Sequence, residues 1–235
     1  HARRRSARGA ASMTAQSLPH RGFVLGKFMP PHNGHVLLCE FAQRQVRQLT
    51  ILVCSLPDDD IPGLLRAQWM RELFPHARVL WCNEVLPQQP EDDPVNFWPI
   101  WRDVVRRHHP EPIDVVFASE AYGARLAEEV GARFIPCDPV RAAMPVSGTA
   151  IRSNPLAHWR SLPDVVRTHF VKRVCVFGPE SSGKTTLAEA LANRLDDALA
   201  PEYGRTYTEV FGLVLDEGDL IRIAEGQMAL SPAAP

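Results

Sequence analysis

The stretch GKFMPPHNGH, Gly26 to His35, leaves an apolar run, turns at two prolines and sets His32 and His35 either side of Asn-Gly. A lone histidine at a strand end is ordinarily a polar residue that has found a hydrogen bond. Two of them three positions apart project to the same side of a helix opening there. The free N–H groups and positive dipole end of such a helix favour an anion. With Lys27 just upstream, the two imidazoles suit a polyphosphate, because phosphoryl transfer needs fixed donors where charge develops. Alone, the pattern also arises by chance or in metal sites, but no third ligand of usual metal spacing follows.

Two further groups carry phosphate chemistry. In VSGTAIR, Val146 to Arg152, Ser147 and Thr149 are N-cap residue types, and Arg152 brings a guanidinium fork one turn later. Read alone this is a capped helix with a surface arginine; read with GKFMPPHNGH, the phosphate reading is favoured. GPESSGKTT, Gly178 to Thr186, matches the pattern GxxxxGK[ST] between an expected strand, KRVCVF, and an expected helix, LAEALANRL. Gly178, Ser181, Ser182 and Gly183 would wrap backbone N–H groups around phosphates. Lys184 would reach the β- and γ-phosphates, and the Thr185 hydroxyl, followed by Thr186, would ligate Mg²⁺.

These groups need a scaffold, and the composition supplies one. The chain has 235 residues, 45% hydrophobic and 23% charged, with a net charge of -1. Such a balance allows a buried core and gives no reason to expect nucleic acid or a membrane surface as partner. A homo-oligomer is compatible with it. Cys39, Cys54, Cys82, Cys137 and Cys175 form no CxxC pair, so the spacing suggests free core thiols in a reducing, cytoplasmic setting rather than disulfides or zinc. The basic residues 1–20 lack an apolar signal core and are expected to be a disordered leader.

From Arg21, short β-rich runs alternate with helical stretches. GFVLGKF, LTILVCS, ARVLWC, PIDVVFAS and ARFIPCD read as strands. GHVLLCEFAQRQV, LLRAQWMRELF, FWPIWRDVVRRH and EAYGARLAEEV read as helices, the first with a stripe at Val36, Cys39, Phe41 and Val46. This alternation predicts right-handed βαβ units in a doubly wound parallel sheet with ligands at the strands' carboxyl ends. GKFMPPHNGH and the loop with Asp58, Asp59 and Asp60 fall at such ends; the three acids read as a solvated loop. The Pro-rich, acidic CNEVLPQQPEDDPVN is a candidate flap. The boundaries expected are 1–20 leader, 21–170 first domain and 171–235 second domain.

GxFxPxHxGH at the first strand–helix junction and SGTxIR near the domain end resemble the signatures of the HxGH nucleotidyltransferase superfamily. The lysine of GKF and the appended phosphate loop resemble more narrowly the bifunctional nicotinamide-mononucleotide adenylyltransferase/ribosylnicotinamide kinase (NadR) family. The likeness spans residues 21 to about 228 and includes FASEAYG and NFWPIWRD. It implies a Rossmann-like α/β nucleotidyltransferase domain followed by a P-loop NTPase-type α/β domain. It implies attack of the nicotinamide mononucleotide 5′-phosphate on the α-phosphorus of ATP, giving NAD and pyrophosphate with Mg²⁺ on the triphosphate. His32, His35, Lys27 and Arg152 would be the catalytic group, and Gly26, Phe28, Met29, Gly34, Ser147, Gly148, Thr149 and Ile151 the rest of the ATP site. Trp98, Trp101, Ser119 and Tyr122 would lie at the nicotinamide end, although core packing is the stronger reading of the two tryptophans.

In the second half EYGRTY, with Glu202 and Arg205, resembles the family's substrate side. Only 51 residues follow Lys184 (235 minus 184), fewer than two βαβ units need. The second domain is therefore expected to be incomplete and its kinase activity absent. Two other readings stay open: an HxGH enzyme with another acceptor, and a non-catalytic regulator sensing NAD or ATP. About 20 residues precede the first strand, too few for a helix-turn-helix, so direct nucleic-acid binding is not expected.

Overall fold

The computed structural model describes residues 19–230. They divide into two compact units, residues up to Phe28 with Gly34–Pro145, and Met29–Asn33 with Val146 onward.

The first unit holds one five-stranded parallel sheet: β1 (Arg21–Gly26), β2 (Gln48–Cys54), β3 (Arg78–Cys82), β4 (Val115–Ala118) and β5 (Arg133–Pro136), in the order β3-β2-β1-β4-β5. Val24 stands opposite Ile51 on one side and Phe117 on the other, and Cys54 opposite Cys82. The strands read as continuous apolar runs because helices cover both faces of a parallel sheet. Those helices are α1 (Asn33–Gln43), α2 (Gly63–Leu73), α3 (Phe97–His108) and α4 (Tyr122–Val130). One core layer gathers Val24, Ile51, Val53, Met70 and Phe117; the other gathers Phe23, Leu52, Trp101, Val104 and Leu126. Strand order reverses between β1 and β4, where open sheets of this kind form a crevice.

The expected strands and helices of this unit are present, with two departures. α1 ends at Gln43, so Val46 lies beyond it, and the buried face is Leu38, Cys39 and Ala42. The three acids at 58–60 are not all solvated. Asp59 forms an ion pair at 2.6 Å with the fully buried Arg66 of α2, because an interior guanidinium requires an anion beside it.

The second unit contains α5 (Gly148–Ser153), a 3₁₀ turn at Trp159–Ser161, α6 (Asp164–Phe170), α7 (Lys184–Leu195), α8 (Tyr203–Phe211) and α9 (Glu217–Leu230). The strand expected at KRVCVF is not formed. Residues 171–178 form no regular element and pair with nothing among the described residues, and Val174 and Phe177 are exposed. A strand exists only as part of a hydrogen-bonded ladder. The helices here bury little, Tyr207 being the one large apolar side chain of α7–α9 that is buried. Tyr207 donates to Asp219 at 2.7 Å, which joins α8 to α9.

Cys39, Cys54, Cys82 and Cys137 are buried and Cys175 exposed, all as free thiols. Among the described residues no helix is long and apolar enough to cross a membrane.

Candidate active site

In the first unit Gly26 closes β1 and Lys27 stands exposed beyond it. Phe28, with φ +48°, reverses the chain and sends its ring into the core, 4.9 Å from the His35 ring. Gly34 and His35 lie in the first turn of α1, where N–H groups lack intrahelical acceptors. The helix begins there because Pro30 and Pro31 cannot continue a hydrogen-bonded strand and leave Asn33 to start the turn.

Arg66 completes this end of the sheet, and sequence reasoning missed it. Its guanidinium donates to the Lys27 carbonyl at 2.6 Å and to the Cys54 carbonyl at 3.3 Å, while Asp59 accepts from it. One buried cation thus fixes the chain just past β1 to the end of β2. The available signal was an arginine inside the apolar LLRAQWM, seven residues after an acid.

On the other side of the crevice, Tyr122 donates its hydroxyl to the Leu25 carbonyl, tying the start of α4 to β1. Burial pushes its pKa up, so it is a neutral donor. Ser119 is half-buried just past β4. Trp101 sits in the core with its indole N–H on the Pro87 carbonyl at 3.0 Å, which also anchors the Pro-rich loop. Trp98 is partly buried, edge-on to Phe97, with the Arg125 guanidinium 6.0 Å above its ring.

The second unit brings the loop Met29–Asn33 and the SGTAIR segment together. Ser147 is the N-cap of α5, its hydroxyl accepting from the Ala150 N–H at 3.2 Å. Arg152, in the last turn, donates to the Met29 carbonyl at 2.5 Å and to the Thr149 hydroxyl at 3.4 Å. A Cβ on Gly148 would come within 2.5 Å of that same carbonyl, so only glycine lets the helix start approach the loop backbone. Asn33 donates to the Arg160 carbonyl at 3.0 Å. His32 is buried in the loop so clamped, and Ile151 is fully buried behind Arg152. Residues 29–33 and the SGTAIR segment, more than a hundred positions apart, are thus one local structure.

The phosphate loop keeps its local geometry. Gly183 takes φ +83° as the N-cap of α7, and Ser181 takes φ +58°. Lys184 folds back to donate to the Pro179 carbonyl at 2.8 Å, and the Ser182 hydroxyl donates to the same oxygen at 2.8 Å. Gly178 opens the loop, and Thr185 and Thr186 are exposed in the first turn of α7. Glu202 is the N-cap residue of α8 and Arg205 is exposed on its first turns.

The AAA domain family matches residues 173–231. The chain is 32% identical to the trifunctional NAD biosynthesis/regulator protein NadR of Escherichia coli (strain K12) in an alignment of 229 residues, gaps included, that covers 87% of this chain and 55% of that protein. It spans about half the length of the curated NadR proteins it matches, 55% and 49%. It is 27% identical to the nicotinamide-nucleotide adenylyltransferase of Thermococcus onnurineus (strain NA1), over 67% of this chain and 84% of that one. A crystal structure of NadR protein in complex with NAD and AMP-PNP superposes with a TM-score of 0.69 at 27% identity, covering 92% of this chain and 67% of that one. The chain is similar to NadR-type proteins over most of its length, and its α/β fold is theirs.

Proposed function

We propose that this chain is a NadR-type nicotinamide-nucleotide adenylyltransferase, with residues 21–170 as the transferase domain and 171–235 as a phosphate-loop segment. Its reaction moves AMP from ATP to nicotinamide mononucleotide. An oxygen of the mononucleotide 5′-phosphate bonds to the α-phosphorus of ATP, the bond from that phosphorus to the bridging oxygen breaks, and pyrophosphate leaves with the electron pair.

The observation that carries this reading is the clamp of Arg152 and Gly148 on the Met29 carbonyl, which holds the loop bearing His32. The first turn of α1, with Gly34 and His35, offers N–H groups and an imidazole to a phosphate. Lys27 adds an exposed ammonium, and Ser147, Thr149 and Arg152 offer hydroxyls and a guanidinium for the β- and γ-phosphates. Gly26, Phe28, Met29 and Ile151 shape the backbone that presents these groups. No residue forms a covalent bond to substrate; position and electrostatics are the catalyst. Mg²⁺ arrives with ATP and neutralises triphosphate charge. Asp59 is already committed to Arg66, so the protein contributes little to that ion in the first domain, whereas Thr185 would hold it in the phosphate loop.

At the nicotinamide end Ser119 and Trp98 are the favoured contacts, since Tyr122 and Trp101 are engaged in packing and backbone hydrogen bonds. The buried free thiols suit a reducing cytoplasm. Residues 178–186 offer the backbone N–H groups, the Lys184 ammonium and the Thr185 hydroxyl to phosphate.

The test is to incubate the protein with Mg²⁺, ATP and either nicotinamide or nicotinate mononucleotide, and to follow pyrophosphate and dinucleotide. Pyrophosphate released in step with NAD supports the reading; binding of NAD without turnover favours a regulator instead. His35→Ala and Arg152→Ala each lower the turnover at least about tenfold, the scale for one lost transition-state donor. Unchanged turnover in both variants removes them from the mechanism.

A further inference from the structure

β3 ends at Cys82 on the outer edge of the sheet, two strands from β1, and the chain enters the 83–96 loop. There Cys82, Glu84 and His108 present a sulfur, a carboxylate oxygen and an imidazole nitrogen that all lie within 4.8 Å of one another. His108 Nε2 is 3.2 Å from Glu84 Oε1, and Cys82 Sγ is 4.0 Å from that same oxygen. On a tetrahedral zinc ion with ordinary bond lengths, nitrogen and oxygen donors stand about 3.4 Å apart and sulfur and oxygen about 3.6 Å. The His108–Glu84 and Cys82–Glu84 pairs are thus within a few tenths of an ångström of those separations, and Cys82 and His108 stand within 4.8 Å of each other, a gap that side-chain rotation can close.

The surroundings fit as well. The other carboxylate oxygen, Glu84 Oε2, accepts from Arg107, which fixes the carboxylate plane and leaves Oε1 facing the sulfur and the imidazole. Cys54 stands opposite Cys82 in the β2–β3 register, a second thiol beside the first. Cys82 is 1% exposed, while the side chains of Glu84 and His108 are 38% and 25% exposed. One side is thus open for a cation to enter and for water to take a fourth position. One thiolate, one imidazole and one carboxylate suit zinc, whereas Mg²⁺ and Ca²⁺ prefer oxygen donors throughout. The spacing in sequence gave no hint, because Cys82 and Glu84 leave β3 while His108 closes α3, 26 positions after Cys82 (108 minus 82).

We propose that Cys82, Glu84 and His108 form a site for a zinc-class divalent cation. The ion ties the start of the 83–96 loop to the last turn of α3. It is a structural staple, separate from the phosphate-binding groups.

The test uses the full chain, reduced and freed of metal, with Zn²⁺ or Co²⁺ added in competition with a weak colorimetric chelator. One equivalent is bound, the melting temperature rises, and the Co²⁺ form shows a thiolate charge-transfer band that Cys82→Ser abolishes. Cys82 is buried and its replacement can disturb folding, so the partly exposed ligands decide the matter. Glu84→Gln and His108→Gln keep the metal-free melting temperature and each weaken zinc binding more than the about 10–100-fold that loss of an outer partner costs. Zinc bound by both variants as tightly as by the parent, or no zinc taken from the chelator by the parent, overturns the proposal.

Discussion

Two nucleotide motifs of this chain stand in unlike surroundings. GKFMPPHNGH leaves β1, which is paired on both sides by β2 and β4, and Phe23 and Val24 just before it are completely buried. GPESSGKTT leaves residues 171–177, which pair with nothing among the described residues, and Phe177 just before it is 90% exposed. The phosphate loop nevertheless keeps its own backbone, because Ser181 and Gly183 at positive φ and two short-range hydrogen bonds to the Pro179 carbonyl fix it locally. Phe28 at φ +48°, by contrast, is held among bonds that reach Arg66 and Arg152 far along the chain. A parallel strand is not local; it needs neighbours supplied by crossovers elsewhere in the chain.

Amide exchange measures that contrast directly and is expected to show the largest effect. β1 amides should exchange only with global unfolding, and those of residues 173–177 several orders of magnitude faster. Comparable protection in both segments of the ligand-free chain would erase the distinction.

The buried ion pair comes next. Arg66→Ala leaves Asp59 unpaired in the interior and costs about 3–5 kcal/mol by denaturant titration. The exposed Arg222, paired with Asp219 in α9, should be replaceable by alanine with no measurable change. Equal losses at the two sites would show that burial is not what separates the halves.

Glycine substitutions sharpen the comparison further. Gly148→Ala must push the new methyl against the Met29 carbonyl and costs about 1–3 kcal/mol, with a drop in adenylyl transfer. Gly183→Ala meets no atom within 4 Å and bears only the left-handed backbone penalty, about 1–2 kcal/mol. Adenylyl transfer that survives Gly148→Ala undiminished would mean the clamp on Met29 is dispensable.

The smallest effect is a pH dependence confined to the sheet. His109 is 3% exposed, stacked 5.8 Å from the Phe23 ring, and burial lowers its pKa below 6.5 against the pull of Glu111 at 2.9 Å. The unfolded chain then takes a proton more readily than the folded one. The stability this contributes is complete above about pH 6.5 and declines as pH falls below it. His109→Gln should flatten the stability profile on the acid side, and an unaltered slope would assign the acid sensitivity elsewhere. No histidine lies beyond His169, so residues 171–235 add no histidine titration to it.

Much of this molecule was written locally. Short β-rich runs and helical periodicity marked β1–β5 and α1–α4, their alternation implied a parallel sheet, and Ser147 announced itself as an N-cap by residue type. Motif spacing likewise located the turns at His32–His35 and Gly183–Lys184, because each depends on a few consecutive backbone conformations. Burial, by contrast, depends on which segments the crossovers bring together. Only the folded chain placed Arg66 on the Lys27 carbonyl, Gly148 against Met29, and Cys82 beside Glu84 and His108. Only the fold, too, left KRVCVF without a ladder, since apolar β-rich residues specify a strand's readiness to pair and not the presence of a partner.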